Sequence, residues 1–166
     1  RNLKWILKTW SWAFINRIFF STIFCTNTFR RLLLRSWGAK IGTNLVIRNG
    51  VRIYFPWKLI IGDNCWIGED AWFINHEEIK IGSNVCISQR AIICSGSHDY
   101  RSASLKYAHK PIEIKDGAWI CLDSKVLPGV TIGEGSVISA GEIVRKSVPD
   151  YSKLTCDAIR PIHHLD

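Results

Sequence analysis

The stretch IKDGAWICLDSKVLPGVTIGEGSVISAGEIV, Ile114 to Val144, decides the fold. An aliphatic residue falls at every sixth position: Ile114, Ile120, Val126, Ile132, Ile138 and Val144. Four residues after each comes a mostly small one, Ala118, Ser124, Val130 and Ser136, before Glu142 and Val148 break the rule. Side chains repeat every 2 residues along a strand and every 3.6 along a helix, so neither alone gives a beat of six. A parallel β-helix does, because each flat wall is one short strand and each corner returns at a fixed offset.

Followed backwards, the beat gives the triplets Ile41-Ile47-Ile53, Ile61-Ile67-Phe73 and Ile81-Ile87-Ile93. With Ile114-Ile120-Val126 and Ile132-Ile138-Val144 they predict an all-β solenoid of five three-walled coils of about 18 residues each. The phase slips only after a third wall: by two residues, by two again, and by fifteen between Ile93 and Ile114. Loops of a solenoid collect on one edge, often the binding edge. Asn75-His76 and Ser97-His98-Asp99 therefore share that edge on adjacent coils. Gly42, Gly62, Gly68, Gly82 and Gly133 follow beat residues and are read as tight-corner residues.

The spacing divides the 166 residues into an N-terminal helical arm, 1–36, a repeat domain, 37–149, and a tail, 150–166. The arm carries the charge. The chain's net charge is +8, and residues 1–40 hold eight Lys and Arg with no Asp or Glu. The same segment holds Trp5, Trp10, Trp12 and Trp37 and five phenylalanines. Lys8, Asn16 and Arg17 interrupt any apolar run of the roughly 18 residues that spanning a bilayer needs. Two roles suit the arm: a cap on the open end of the solenoid, and a helix lying in the plane of a membrane surface. No nucleic-acid-binding module accompanies the charge. No secretory leader is recognisable. The chain begins at Arg1 and contains no methionine, so further sequence is expected before it.

Six cysteines, Cys25, Cys65, Cys86, Cys94, Cys121 and Cys156, form no CxxC pair and read as small buried thiols of a reducing compartment. The run Gly129-Val130-Thr131-Ile132-Gly133 is a corner and not a phosphate loop; nothing reads GxxxxGK[ST]. His98 is the leading candidate for chemistry, since an imidazole titrates near neutral pH and can act as a general base. Asp99 beside it is a candidate to fix its tautomer. His76 and His109 raise a rival, a three-histidine metal site, although no short His-x₃₋₄-His element supports it. His109 reads as an ordinary loop residue, and His163-His164 as a solvated pair. Trp119 interrupts the small residues of the fourth coil. Arg145 and Lys146 close the last wall with two donors suited to phosphate.

Together, Ser97-His98-Asp99-Tyr100, Ile114-Lys115-Asp116-Gly117-Ala118-Trp119-Ile120, Pro128-Gly129-Val130-Thr131-Ile132-Gly133 and Val144-Arg145-Lys146-Ser147-Val148-Pro149 resemble the hexapeptide-repeat acyltransferases. Trp37-Gly38-Ala39-Lys40-Ile41-Gly42 and Pro56-Trp57 resemble its exopolysaccharide O-acetyltransferase branch of the colanic-acid type. The resemblance covers about residues 30–150. It implies a left-handed β-helix, a homotrimer, and acetyl-CoA bound between neighbouring subunits, with no metal. His98 matches the family's general base. Trp119, Ala140 and Lys146 match positions lining the CoA site, Arg145 adjoins them, and Asn75 falls near positions touching the acceptor, with Asp99 beside the base. Where relatives end in a Gly-Asn-Pro-Ala-Lys-like motif, this chain has Cys156-Asp157-Ala158-Ile159-Arg160, so Arg160 stands in for the lysine near the CoA phosphate.

The function implied is transfer of acetyl from acetyl-CoA to a sugar hydroxyl in surface or exopolysaccharide biosynthesis. The acceptor would be a saccharide or lipid-linked glycan, and the location cytoplasmic, with the arm meeting the inner face of the membrane. The alternatives are a metal-dependent hydratase on the same fold and a non-catalytic assembly module.

Overall fold

The computed structural model describes residues 3–156 and 158–161; His163 and His164 lie outside the described residues. The six-residue beat becomes a parallel β-helix of three walls. The first wall stacks Lys40–Ile41, Leu59–Ile61, Ile79–Ile81, Ile112–Ile114 and Thr131–Ile132. The second stacks Val46–Ile47, Trp66–Ile67, Cys86–Ile87, Trp119–Ile120, Val137–Ile138 and Ser152–Thr155. The third stacks Arg52–Ile53, Trp72–Ile74, Ile92–Cys94, Lys125–Val126 and Ile143–Val144. Register follows the beat: Ile47 faces Ile67, Ile67 faces Ile87, and Ile120 faces Ile138 on successive coils. Every beat residue except Ile41 is buried, each 3% exposed or less. Ala118, Ser124, Val130 and Ser136 fill the space between the stacks, each 2% exposed or less.

Five coils are complete and a sixth is partial. Val148 bridges to Ile132 on the first wall, and Ser152–Thr155 pairs in parallel with Val137–Ile138 on the second. Ala158–Pro161 then folds back antiparallel on that last strand.

The glycines act differently from the sequence expectation. Gly42, Gly62 and Gly82 are not in the left-handed region. They are small because the next coil is too near: a Cβ on Gly62 would sit 2.7 Å from the Gly82 carbonyl carbon. The left-handed turn comes two residues later, at Asn44, Asn64 and Asn84, with φ of 51°, 55° and 59°. Asparagine tolerates that conformation better than most residues. Their side chains link coil to coil, Asn44 Nδ2 donating to Asn64 Oδ1 at 3.0 Å and Asn64 to Asn84 at 3.3 Å.

The coils also explain the arm. Each coil's N–H groups donate to carbonyls of the next, as Val46 does to Cys65 and Arg52 to Ala71. The first coil is thus left with carbonyls that no coil can satisfy, and a buried unpaired carbonyl is costly. The arm supplies the donors. It comprises helix α1, Leu3–Ile15, a π-helical turn, Asn16–Phe20, and helix α2, Asn27–Ser36. Trp12 Nε1 donates to the Ile53 carbonyl at 2.7 Å, and Ser21 Oγ to Val51 at 2.8 Å. Asn27 Nδ2 donates to Leu45 at 3.0 Å, and Arg35 reaches the Ile41 and Gly42 carbonyls. Arg30 is 5% exposed and has no acid beside it. Its guanidinium serves three carbonyls: Ile47 at 3.0 Å, Phe20 at 2.9 Å and Thr22 at 2.6 Å. Trp12, Phe20 and Leu34 then plug the open end, each 1% exposed or less.

Trp12→Ala removes both plug and donor. It is expected to destabilise the whole solenoid by about 3–5 kcal/mol, read by chemical denaturation. An unchanged midpoint would show that the first coil closes without the arm.

Candidate active site

After the third-wall strand Ile92–Cys94 the chain leaves the solenoid at the corner between third and first walls, and it returns at Ile112. The excursion is a hairpin, not a loose loop. Lys110 donates to Ser95 at 3.1 Å, Ala108 to Ser97 at 2.9 Å and Asp99 to Lys106 at 2.8 Å, and His98 bridges antiparallel to Tyr107. Its base is pinned by buried Ser95, whose Oγ accepts from the Glu77 N–H at 2.8 Å.

His98 stands exposed on this hairpin. Its Nδ1 lies 2.6 Å from the Leu105 carbonyl oxygen. A carbonyl only accepts, so Nδ1 carries the proton and Nε2 is left with an open lone pair. Leu105 reaches this position in the left-handed region, at φ 46°. The ring is therefore set as a base by the hairpin's own backbone. Asp99 does not do this: its Oδ1 caps the hairpin turn by accepting from the Arg101 N–H at 3.0 Å. The expected Asp99–His98 pairing is thus corrected, because the carbonyl across the hairpin already occupies Nδ1.

Two other expectations change. Asn75 is 0% exposed, and both ends of its amide are spent. Its Oδ1 accepts from Tyr54 and Phe55 N–H at 3.1 and 3.0 Å, and its Nδ2 donates to the Phe55 carbonyl at 2.6 Å. It shapes the preceding corner and has no free group for an acceptor. His109 is more than a loop residue. Its Nδ1 accepts the Ser97 N–H at 2.9 Å, one residue before His98, and its ring packs on Tyr107 at 4.9 Å. No spacing signal in the sequence could have shown that pairing.

The three histidines do gather, but two of them stack and the third meets one of them edge-on. His76 and His109 lie face to face, 4.8 Å apart and 19° from parallel, while His98 meets His109 edge-on at 6.3 Å. Stacked rings point their in-plane lone pairs side by side, whereas metal ligands must converge. Among the described residues no group of three or more His, Cys, Asp or Glu is arranged to hold a metal. Burial pushes the Cys65, Cys86 and Cys121 thiols above their ordinary value, which leaves them protonated, while Cys156 is exposed and corrects the expectation of six buried thiols.

The remaining candidates divide between faces. Arg145 and Lys146 lie exposed at the same corner as His98, two coils further on, roughly 10 Å along the axis at the usual strand spacing. Ala140 is exposed at the corner between second and third walls. Arg160 lies on the antiparallel strand beside the second wall. Trp119 is 48% exposed and points outward from that second wall, its Nε1 held by Ser88 Oγ at 2.9 Å. In a three-sided prism the second wall lies opposite the corner carrying His98. One chain therefore does not bring Trp119 and His98 together.

Known proteins share this fold. The family described as hexapeptide repeat of succinyl-transferase matches residues 58–96 and 111–146. A protein of Escherichia coli (strain K12) named as a colanic acid biosynthesis acetyltransferase, WcaF, is 47% identical over 120 residues, covering 72% of this chain and 66% of its own length. The galactoside O-acetyltransferase of the same organism is 29% identical over 144 residues, 82% of this chain and 70% of its own length. A hexapeptide-repeat acetyltransferase of Vibrio cholerae O1 biovar eltor, solved with acetyl coenzyme A, superposes with a TM-score of 0.87 at 23% identity, covering 99% of this chain and 91% of its own. The shared fold is the left-handed parallel β-helix.

The tautomer can be checked directly. In the neutral ring, ¹⁵N-resolved spectra should show His98 with its proton on Nδ1. Observation of the Nε2–H form would remove the Leu105 contact from the account.

Proposed function

The chain belongs to the hexapeptide-repeat acyltransferases, and on that premise we propose that it moves acetyl from acetyl-CoA to a saccharide hydroxyl. WcaF is named for colanic acid biosynthesis, and that context supports a role in exopolysaccharide biosynthesis. The observation that carries the reading is the His98 ring, with Nδ1 committed to Leu105 and Nε2 open. Nε2 takes the proton from the acceptor hydroxyl as its oxygen attacks the thioester carbonyl, and returns it to the departing thiolate. No residue needs to be acylated.

The residues present suit acetyl-CoA. The exposed Trp119 indole offers a flat apolar surface, Ala140 leaves room at the neighbouring corner, and Arg145, Lys146 and Arg160 offer charge-assisted donors to phosphate. Because Trp119 faces away from its own His98, the site is completed when the His98 corner of one copy meets the second wall of the next. A head-to-tail contact of that kind closes into a ring, and three copies of a three-sided prism close it naturally. A homotrimer is the proposed assembly.

The arm's outer surface supports a peripheral membrane role. No described helix is long and apolar enough to cross a membrane. Yet Leu3, Leu7, Trp10 and Phe14 are 61–73% exposed along one stripe of α1, with Lys4 and Lys8 flanking it. An amphipathic helix of this composition binds an anionic surface through buried apolar area and charge.

The metal-dependent hydratase reading loses its basis in the stacked histidines. The assembly-module reading is separated from catalysis by one variant. His98→Ala should lower acetyl transfer to glycan acceptors by about 10²–10⁴-fold while the oligomer persists in sedimentation. Near-normal turnover would remove His98 from the role.

Trp10→Ser with Phe14→Ser should abolish co-sedimentation with phosphatidylglycerol vesicles and leave turnover on soluble acceptors intact. Retained binding would overturn the membrane assignment.

A further inference from the structure

The space between α1 and the solenoid takes no part in the account above. Between the arm and the third wall of the first coil lies a cleft of about 920 Å³. Thr9, Ala13 and Arg17 form its roof, Arg52 and Tyr54 its floor. At the corner carrying the hairpin it reaches Phe55 and His76. Those two residues also line a second cavity of about 360 Å³, which runs past Trp57 and Lys58 to Tyr107 and His109. Tyr107 packs on the His98 ring, centroid to centroid 5.1 Å. The two cavities adjoin at Phe55 and His76, so together they run from beneath the arm to the ring beside the reactive imidazole. Each is on the scale of a whole small-molecule site, so the groove suits more than one sugar unit.

Its lining changes along its length. Near His98 the walls are rings, Tyr54, Phe55, Trp57 and Tyr107, amphipathic or apolar faces against which a sugar ring can lie. Lys58 contributes no net charge there, since its ammonium is spent on the His76 carbonyl and Glu77, the latter at 3.3 Å. The far end is cationic. The Arg52 guanidinium lies over the Trp72 ring, 4.1 Å from its centre, and makes no side-chain hydrogen bond or ion pair with a described residue, so its N–H donors are left for another partner. Arg17 makes no hydrogen bond or ion pair with any described residue. Asp70 is the one carboxylate lining the larger cleft, so two guanidinium groups outweigh it. Two guanidinium groups lining one cleft offer donors to the several acceptor oxygens of a phosphate.

We propose that this groove is the acceptor site, and that the acceptor is a saccharide carrying a phosphate. The hydroxyl to be acetylated lies at His98, the sugar rings lie along the aromatic stretch, and the phosphate lies between Arg17 and Arg52. This rests on the acetyltransferase reading, which makes the neighbourhood of His98 the place where an acceptor hydroxyl must arrive. The phosphate is that of a soluble sugar phosphate or of a lipid-linked saccharide diphosphate; the chemistry recognised is the same.

The test is binding of full-length protein, without acetyl-CoA, to a panel of free hexoses and their 1-phosphates by titration calorimetry. The phosphorylated form should bind at least about tenfold more tightly. Arg17→Gln and Arg52→Gln should each cut that ratio severalfold, and Arg17→Lys should restore part of it, with melting curves confirming that each variant is folded. Equal binding of the two forms, or a ratio that neither glutamine variant changes, would overturn the proposal. A polyprenyl-diphosphate saccharide in detergent micelles, run beside UDP-hexoses, tells which source of phosphate is preferred. Phosphate-dependent binding without acetyl transfer would sink the acetyltransferase reading. Acetyl transfer without phosphate preference would sink only the groove.

Discussion

The carbonyl oxygens of Ile41, Leu45, Ile47, Val51 and Ile53 all point out of the first coil with no coil to meet them. A β-helix satisfies its backbone by stacking, so its first layer always has this deficit. Here it is met by side chains, chiefly Trp12, Ser21, Asn27, Arg30 and Arg35. The choice of a buried arginine without an acid follows from that task. Burial lowers the Arg30 pKa, and a lone buried cation is costly, but three carbonyl dipoles converge on its donors. The arm is therefore bonded to the catalytic scaffold, and what it presents outward is held fixed relative to the solenoid.

The repeat was legible because its cause is one-dimensional. A fixed number of residues per wall puts the same kind of side chain inside on every coil, and Ile47, Ile67 and Ile87 show it directly. The phase count also put His76 and His98 on one edge, where they stand. What the count could not reach was pairing outside the repeat. Asn75 looked free because its sequence position says nothing of the Tyr54–Phe55 backbone that encloses it. Asp99 looked like the partner of His98 by adjacency, but adjacent residues in a hairpin point to opposite sides, and the cross-strand carbonyl of Leu105 is the group in reach. Glycine after each beat residue was rightly noticed and given the wrong cause: it marks where coils touch, while asparagine makes the turn.

The site splits its labour between two parts of the fold. The proposed base is held on one hairpin, by Leu105 on the His98 Nδ1 and by His109 on the Ser97 backbone. The groups suited to the acyl donor lie on the wall or on later coils. Under the proposed assignment the acceptor side is built from the hairpin and the arm, and the acyl-donor side from the stacked walls.

Helix α1 shows how closely these demands are packed. Its residues are about 100° apart around the axis, so each job occupies a sector. Leu3, Leu7, Trp10 and Phe14 share the outward sector and are all exposed. Next comes a cationic sector with Lys4 and Lys8, the latter 4.4 Å above the Trp57 ring. Trp12 faces the solenoid and plugs its end, and Thr9 and Ala13, then Arg17 one turn further, complete the circle over the groove. The inward sector is filled by Trp12, with Ile15 packed beside it on the core, and the stripe of Leu3, Leu7, Trp10 and Phe14 is left facing out. The consequence is geometric. A surface that engages the outward stripe comes within one helix diameter, about 10–12 Å, of the groove beneath, so an acceptor held at that surface has a short path to His98.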